Sequence, residues 1–173
     1  MSLFGVTFQN RPVSAFDHAA LTALILRDGI LRGCALSASG GTVTLAAGYL
    51  VAAGRIVGND ADLAIPVSGS SGVARITLVI DLTATATESA FNQVSIRVDT
   101  AASVAALPAL VQEDINDAVH TAYEVSLGVV NLSASGVSGF ASRLGRAALR
   151  IQMGTSTPTT ANLDPGEIYL KYT

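Results

Sequence analysis

The sequence predicts a mainly β fold: a β-sandwich with an N-terminal helix and an extended C-terminal arm. From residue 29 to residue 83, apolar and polar residues alternate with a period of two. Glycines punctuate this alternation at short intervals, as in short strands that tight turns connect. Only one segment shows convincing helical spacing with caps. About seven or eight strands and one helix favour a sandwich with a helical decoration.

The 173 residues suit one domain with appendages. We predict an N-terminal arm at residues 1–13, a mainly β domain at residues 14–150, and an extended C-terminal arm at residues 151–173 that ends in a strand. The chain is 50% hydrophobic but only 13% charged, whereas an ordinary soluble domain is about 25% charged. Because such a surface repels its neighbours weakly, we expect other subunits to cover much of it.

The helix is predicted in SAFDHAALTALILRDG, which begins at Ser14 and ends at Gly29. Ser14 is the expected N-cap, Asp17 stands at the capping-box position, and Gly29 is the expected C-terminal stop. Residues at 3.6-residue spacing define one largely apolar face. They are Phe16, Ala20, Ala23, Leu24 and Arg27, with Leu21 and Ile25 beside them. The result is a helix of about three turns.

The segment ARITLVIDL alternates most regularly. We expect Ile76, Leu78, Ile80 and Leu82 on the core face, and Arg75, Thr77, Val79 and Asp81 on the other. Arg75 pairs with Asp81 only if the twist or a neighbouring strand brings them together. FNQVSIRVD repeats the alternation with Val94, Ile96 and Val98 inward. The polar stretch TATATES then joins the two strands as an antiparallel hairpin.

Three later segments are less regular. TAASVAALPALVQEDINDAV is Ala-rich and interrupted by Pro108, which predicts a loop with one helical turn. TAYEVSLGVVNLS predicts a strand with Tyr123, Val125, Leu127 and Val129 on one side. GVSGFASRLGRAALRIQ fits either a short helix or a turn. Its GVSG, like GSSG at residues 69–72, is interpreted as a turn.

The charge pattern and the apolar runs argue against several classes. The net charge is −3 and the ten Lys and Arg residues are scattered, so we expect no nucleic-acid partner. MSLFGVTFQNRP lacks the features of a secretory signal, and no apolar run approaches the roughly 20 residues that span a bilayer. We therefore expect folding in the cytoplasm without membrane insertion. The single cysteine, Cys34, is expected to be a small buried hydrophobe.

Few residues suggest catalysis. His18 is expected on the helix surface, and His120 follows an acidic loop. Neither a G-x-S-x-G nucleophile nor a phosphate-binding glycine motif occurs. The carboxylates of QEDIND and GNDAD lack the spacing of a calcium loop, so we interpret them as solvated loop acids. A hydrolase would need an acid pair around Asp114 or Asp60. We predict no catalytic residue, no metal and no cofactor, and no enzymatic activity.

A carbohydrate-binding module that recognises a bacterial surface glycan is the alternative function. Mainly β modules commonly bind sugars, usually through aromatic platforms. Aromatic residues make up only 5% of this chain, and it has no Trp. This composition argues against a lectin and leaves it as the second choice.

The order of several motifs resembles a known family. SAFDHAALTALILRDGILRGCALSASGGTVTLAAGYLVAAGRIV is followed by ARITLVIDLT, LPALVQEDIN and YEVSLGVVNLS. This order is similar to an N-terminal module of bacteriophage tail and baseplate proteins, which include upper-baseplate and receptor-binding or fibre-attachment proteins of phages of Gram-positive hosts. There a helix leads to a dGil.G turn, and a G…v.GR hairpin precedes an aRi.lviDl strand. The resemblance covers about residues 14–133.

The resemblance implies a non-enzymatic virion component, usually a homotrimer, that joins the tail tip to host-recognition machinery. Its partners would be other tail or baseplate proteins, and its place would be the virion, after assembly in the cytoplasm of the bacterial host. Longer family members continue into a coiled coil or a receptor-binding head. A chain that stops at Thr173 is therefore expected to join, cap or decorate the tail rather than to bind the receptor.

The C-terminal segment GTSTPTTANLDPGEIYLKYT is expected to be an arm, and it is similar to tail-protein ends of the GeiY.kY type. Its two prolines disfavour a helix. EIYLKYT alternates and can add to another sheet as an edge strand. Two alternatives stay open: the strand pairs with a neighbouring subunit or partner protein, or it returns to its own sandwich. The candidate interface residues are Phe4, Phe8, Ile168, Tyr169, Leu170 and Tyr172.

Overall fold

The computed structural model describes residues 14–87, 91–117, 119–148, 151–154 and 168–171. Within these residues the chain is mainly β with a helix at its N-terminal end, as the sequence predicts. The arm predicted at residues 1–13 lies outside them, and so does most of the arm predicted at residues 151–173.

The described elements are one α-helix, one short 3-10 helix and twelve strands. The helix α1 spans Ala15–Ile25, and the 3-10 helix spans Val104–Ala106 within the predicted loop. The strands are β1 (Gly29–Gly33), β2 (Leu36–Ser39), β3 (Thr42–Leu45), β4 (Gly48–Ala52), β5 (Arg55–Asn59), β6 (Leu63–Pro66), β7 (Val73–Asp81), β8 (Val94–Ala101), β9 (Ala122–Ser133), β10 (Gly136–Arg143), β11 (Ile151–Gly154) and β12 (Ile168–Lys171).

These strands form four sheets. Three of them are antiparallel, with the strand orders β1-β4-β5, β2-β3-β6 and β10-β9-β7-β8. The fourth consists of β11 and β12, which pair in parallel. The predicted hairpin between the two regular strands is confirmed as β7 and β8, in register from Val73↔Ala101 to Ile80↔Val94.

One cluster of buried side chains joins the three antiparallel sheets. Val43 of β3, Leu50 of β4, Ile76 of β7 and Val130 of β9 all belong to it and are almost fully buried. The predicted inward residues of β8, namely Val94, Ile96 and Val98, pack against the cluster and stay partly exposed, because β8 is an edge strand. Cys34 is buried as predicted, and burial raises the pKa of its thiol.

The predicted start of α1 is confirmed, but the predicted end is wrong. The Ser14 Oγ accepts the Asp17 N–H at 3.0 Å, and the Asp17 carboxylate accepts the Ser14 N–H at 3.2 Å. The helix ends at Ile25, and Gly29 is the first residue of β1. Gly29 is needed for a different reason, since a Cβ there would come within 2.4 Å of the Ala147 backbone nitrogen. Helical spacing carries no information about this long-range approach.

The second face of β7 is also covered. Arg75 is 6% exposed and Thr77 is fully buried. The connection from β8 to β9, residues 102–121, has to cross the sheet because these strands flank β7 on opposite sides. Its first part, residues 102–110, is exposed or half-buried. Farther along the connection, the Val111 N–H donates to the Glu124 carboxylate at 3.1 Å.

The segment predicted as a short helix or a turn contains the strand β10, which forms a hairpin with β9. Its GVSG opens that strand, so the interpretation of GVSG as a turn is wrong. The β9–β10 pairing shifts register twice, between Val137 and Gly139 and between Phe140 and Ser142. Because each bulge breaks the period of two, the strand shows no regular alternation in sequence. GSSG, by contrast, lies in the bend between β6 and β7, as predicted.

Candidate functional site

Three of the six candidate interface residues lie within the described part of the chain. Those outside the described residues are Phe4, Phe8 and Tyr172. Those in β12 are Ile168, Tyr169 and Leu170, whose backbone pairs with β11 in the register Ile151↔Ile168 to Gly154↔Lys171. The C-terminal strand thus pairs with a strand of its own chain, although not with the three antiparallel sheets.

Among the described strands, none is hydrogen-bonded to the outer edge of β11 or of β12. Parallel strands normally occur inside larger, covered sheets, and a sheet of only two strands is marginal in water. Backbone groups along the edge of a strand need partners, from water or from another strand. This pair is therefore a candidate site for contact with a further chain.

The helix α1 carries an apolar surface that the described part of the chain leaves exposed. Ala19 is its only buried residue. Leu24 is 69% exposed, and the other large side chains of this surface are Phe16, Leu21 and Ile25, which are 39%, 46% and 48% exposed. We call these four residues the apolar helix surface. Contiguous apolar patches on a soluble protein typically mark protein contacts.

The helix faces outward in this way because it contacts the body through small residues. Gly54 lies in the turn between β4 and β5, where a Cβ would come within 2.0 Å of the Ala19 carbonyl oxygen and 2.8 Å of the Ala23 Cβ. Ala53 and Gly54 have φ angles of 48° and 75°, as in the type I′ turn of a two-residue hairpin. The turn and the alanines approach closely, and the larger side chains of α1 point away.

Asp28 fixes the end of the helix to two other elements. One carboxylate oxygen accepts the Ala53 N–H at 2.8 Å, and the other accepts the Tyr123 hydroxyl at 2.8 Å. Asn116 donates to the Ala53 carbonyl at 2.9 Å from the far side of the turn. These bonds tie α1, the β4–β5 turn and β9 together, so the apolar helix surface is held in one orientation.

An open groove of about 520 Å³ lies beside these bonds, between α1 and the loop before β9. Its polar lining consists of Asp28, Gln112, Glu113, Asp114, Asn116 and Tyr123. The Asp114 carboxylate accepts the N–H of Asn116 at 3.0 Å within its own loop. The described residues contain no group of three or more His, Cys, Asp and Glu side chains that could hold a metal ion.

A network of charged side chains covers the outer face of the β8-β7-β9 region. Arg75 donates to Asp99 at 3.0 Å, and Arg97 donates to both Asp99 oxygens at 2.9 and 3.1 Å. Arg97 also binds both carboxylate oxygens of Glu124. Thr77 lies inside the network and accepts from Arg75 at 3.1 Å. Two arginines and two carboxylates make the network neutral.

The electrostatics of this network keep all its carboxylates ionised at neutral pH. Burial disfavours the charged form of Asp99, yet hydrogen bonds from Arg97 and Arg75 outweigh it and hold the pKa of Asp99 below its ordinary value. The hydrogen bond from Arg97 lowers the pKa of Glu124 in the same way. The same contacts raise the pKa of Arg97. Groups so fully paired stabilise the sheet and are not available as acids or bases at neutral pH.

His120 and Asp117 form a second, exposed pair at the end of the loop. The His120 Nδ1 lies 2.7 Å from the Asp117 carboxylate. The backbone N–H groups of His120 and Val119, together with the imidazole, lower the pKa of Asp117 to about 2. The hydrogen bond to Asp117 in turn raises the pKa of His120. This arrangement closes the loop before β9.

The sequence did not reveal the Arg75–Asp99–Arg97–Glu124 network or the Asp28–Tyr123 bond. Arg97, Asp99 and Glu124 all stand on strands with polar residues at alternate positions, which is the available signal. The partners become visible only once the register of β7 against β8 and β9 is known.

Comparisons with known proteins do not assign this chain to a family. No protein-family model matches this chain, and no curated protein matches it. Among the described helical residues, none form a segment with the length and apolar character needed to cross a membrane.

Proposed function

We propose that this protein is a structural component of a bacteriophage tail or baseplate that joins or decorates the tail tip as a homotrimer. The order of its motifs, which resembles the N-terminal module of such proteins, supports the assignment to a tail. The surfaces described above support the more general role of a subunit that works by burying interfaces.

The apolar helix surface is the observation that carries this proposal. Phe16, Leu21, Leu24 and Ile25 stand on one rigid helix that Asp28 and Gly54 hold against the body. Water contact with such side chains costs about 25 cal/mol per Å² of apolar area, so their burial drives association. In a homotrimer, three copies of this surface, one from each chain, can meet around the threefold axis.

The remaining features fit a rigid subunit. The neutral network on the outer sheet face satisfies its charges internally, so it resists movement and carries no net charge toward a partner. No other described strand covers the outer edges of the β11–β12 pair. Strand addition at such an edge supplies backbone hydrogen bonds to a neighbouring subunit.

The open groove between α1 and the loop before β9 favours the alternative, a carbohydrate-binding module. Its carboxylates and amides are the groups that commonly bind sugar hydroxyls, and Tyr123 contributes an aromatic ring to its lining. The Tyr123 hydroxyl, however, is already committed to Asp28. The groove therefore gives this alternative less support than the helix surface gives the tail component.

Analysis of intact particles tests the proposal. Tail particles purified from a lysed culture of the source bacterium should contain this chain at a fixed copy number that is a multiple of three, as measured by quantitative mass spectrometry. Glycan binding by the isolated protein, lost in an Asp114→Ala variant and kept in a Leu21→Glu variant, would instead support the sugar-binding module, because Asp114 lines the groove and Leu21 does not. A chain absent from the particles would contradict the proposal.

A further inference from the structure

A long apolar groove follows strand β8, with β5 and β6 on its opposite side. It has three connected parts of about 270, 310 and 260 Å³. The first and second parts share Val57 and Val94, and the second and third share Leu63 and Ile96. The lining extends along β8 from residue 93 to residue 98, which is about 17 Å of extended chain. The groove is therefore elongated, as the binding of an unbranched molecule requires.

One face of β5 sets the order of chemical groups along the groove. Arg55, Val57 and Asn59 are half-buried, whereas Ile56 and Gly58 between them are exposed. Because side chains alternate along a strand, the three half-buried residues share a face. Arg55 and Val57 line the first part of the groove, and Val57 and Asn59 line the second. The arginine thus lies at one end, and the apolar parts continue away from it.

The floor of the middle part is deeply buried. Cys34, Leu45, Leu50 and Leu78 line it and are at most 4% exposed. Among the described lining residues of all three parts, Arg55 is the single charged one. An aliphatic chain in this groove would remove apolar surface from water, and the gain is proportional to the area buried.

Arg55 carries a charge that the described residues do not balance. Its Nη2 donates to the Ile115 carbonyl at 3.2 Å, and its Nε is buried without a hydrogen-bond partner. Burial lowers the pKa of Arg55, and no carboxylate offsets this effect. A partly buried cation without a counter-ion is costly, so an anion beside it would be strongly favoured.

We propose that this groove binds a free fatty acid, with the carboxylate on the Arg55 guanidinium and the unbranched chain along β8 toward Leu63 and Ile65. The guanidinium offers a planar set of N–H donors that fits a carboxylate. A neutral aliphatic molecule would fill the apolar parts but leave Arg55 unpaired. This inference is independent of the proposed function.

Calorimetric titration of the full chain with decanoate and with decanol tests the position of the carboxylate. The wild-type protein should bind a single decanoate per chain, and decanol more weakly. Arg55→Gln should weaken decanoate binding about tenfold and leave decanol binding unchanged, because only the acid is charged. Arg55→Lys keeps the charge and should retain most of the decanoate affinity.

The matched control is Arg143→Gln, which removes the same charge from an exposed position outside the groove and should change neither affinity. A wild-type protein that does not bind decanoate would overturn the proposal. Equal weakening by the two glutamine variants, or equal weakening of both ligands by Arg55→Gln, would overturn it as well.

Two further variants test the position of the chain. Val57→Phe and Ile96→Phe each fill the groove where two of its parts meet, so both should abolish binding of decanoate and decanol. Val137→Phe changes another half-buried valine, on β10 and outside the groove, and should keep the binding. Binding that persists in both groove variants would overturn the proposal.

Flotation with vesicles of phosphatidylglycerol distinguishes a free acid from the acyl chain of a membrane lipid. The wild-type protein should stay unbound in this experiment, because the proposed ligand is a free acid. Flotation that decanoate suppresses would show that the groove takes the chain of a membrane lipid, and would overturn the proposal as stated.

Discussion

Arg75 of β7 donates a 3.0 Å hydrogen bond to Asp99, its direct register partner on β8. The sequence offered Asp81 as a possible partner, but Asp81 instead accepts the backbone N–H and the hydroxyl of Thr83 at 2.9 and 2.6 Å. Arg75 and Asp81 stand near opposite ends of the same strand, and the neighbouring strand supplies the nearer charge. The buried arginine therefore depends on Asp99.

Replacing Asp99 with Asn should destabilise the fold strongly. The change leaves Arg75 and Arg97 with one carboxylate between them, and breaking a largely buried ion pair costs about 3 kcal/mol. Asp81→Asn is the matched control, because Asp81 is exposed and its bonds are local, so its loss should cost much less. Urea denaturation measures both free energies of unfolding. Similar losses in the two variants would contradict a central role for the network.

Acid should weaken the protein through the same carboxylates. The folded pKa values of Asp99 and Glu124 lie below their ordinary values of 3.8 and 4.5. Below about pH 4.5 the unfolded chain binds more protons than the folded one, so this part of the stability is complete above that pH and falls as the pH decreases. Denaturation between pH 7 and pH 2.5 should show the decline, and Asp99→Asn should make it shallower. An unchanged slope in the variant would contradict the assignment.

Gly54→Ala should detach the helix from the body. The added Cβ would lie 2.0 Å from the Ala19 carbonyl oxygen, and Gly54 has a φ of 75°. Gly40→Ala is the control, because Gly40 has a φ of 54° but nothing within 4 Å of the added Cβ. In both variants the left-handed alanine should lower the free energy of unfolding by about 1 kcal/mol. The clash should lower it by at least about 2 kcal/mol more in Gly54→Ala alone.

The free energies of unfolding of the two variants are measured by urea denaturation. Hydrogen exchange of the α1 amides then shows whether the helix itself has come loose. Exchange should become faster in Gly54→Ala and stay unchanged in Gly40→Ala. Equal stability of the two variants would mean that the helix does not depend on its close approach to the β4–β5 turn.

His120 should titrate above its ordinary value of 6.5, because the hydrogen bond to Asp117 favours the imidazolium. The contribution of this pair to stability is therefore complete below pH 6.5 and is lost as the pH rises through the folded pKa. In an NMR titration, Asp117→Asn should bring the His120 pKa down toward 6.5. The His18 signals, from a residue on α1, report whether the substitution disturbs the whole protein. A His120 pKa that does not change in the variant would contradict the pairing.

The features that the sequence predicts correctly are those that local spacing determines. The Ser14–Asp17 cap joins residues three positions apart, and the β7–β8 hairpin follows from two regular alternations. β10 was missed because its bulges break the period of two. The end of α1 was misplaced because Gly29 serves a contact with Ala147 that only the fold creates.

The candidate site depends even more on long-range geometry. The spacing of α1 identifies an apolar face, but not whether that face is buried. It stays outside because Ala19 and Gly54 bring a different side of the helix against the body. The charge partners of Arg75 likewise require the strand register.

The mass of the purified protein in solution tests the central claim, that copies of this chain cover its apolar helix surface. Analytical ultracentrifugation should give three times the 17.6 kDa chain mass for the wild-type protein. The Leu24→Glu variant should have the mass of a single chain, because glutamate keeps the helix propensity but places a charge on that surface. Ser70→Glu adds the same charge in an exposed loop and should stay trimeric. A wild-type protein that remains a single chain at all concentrations would contradict the claim.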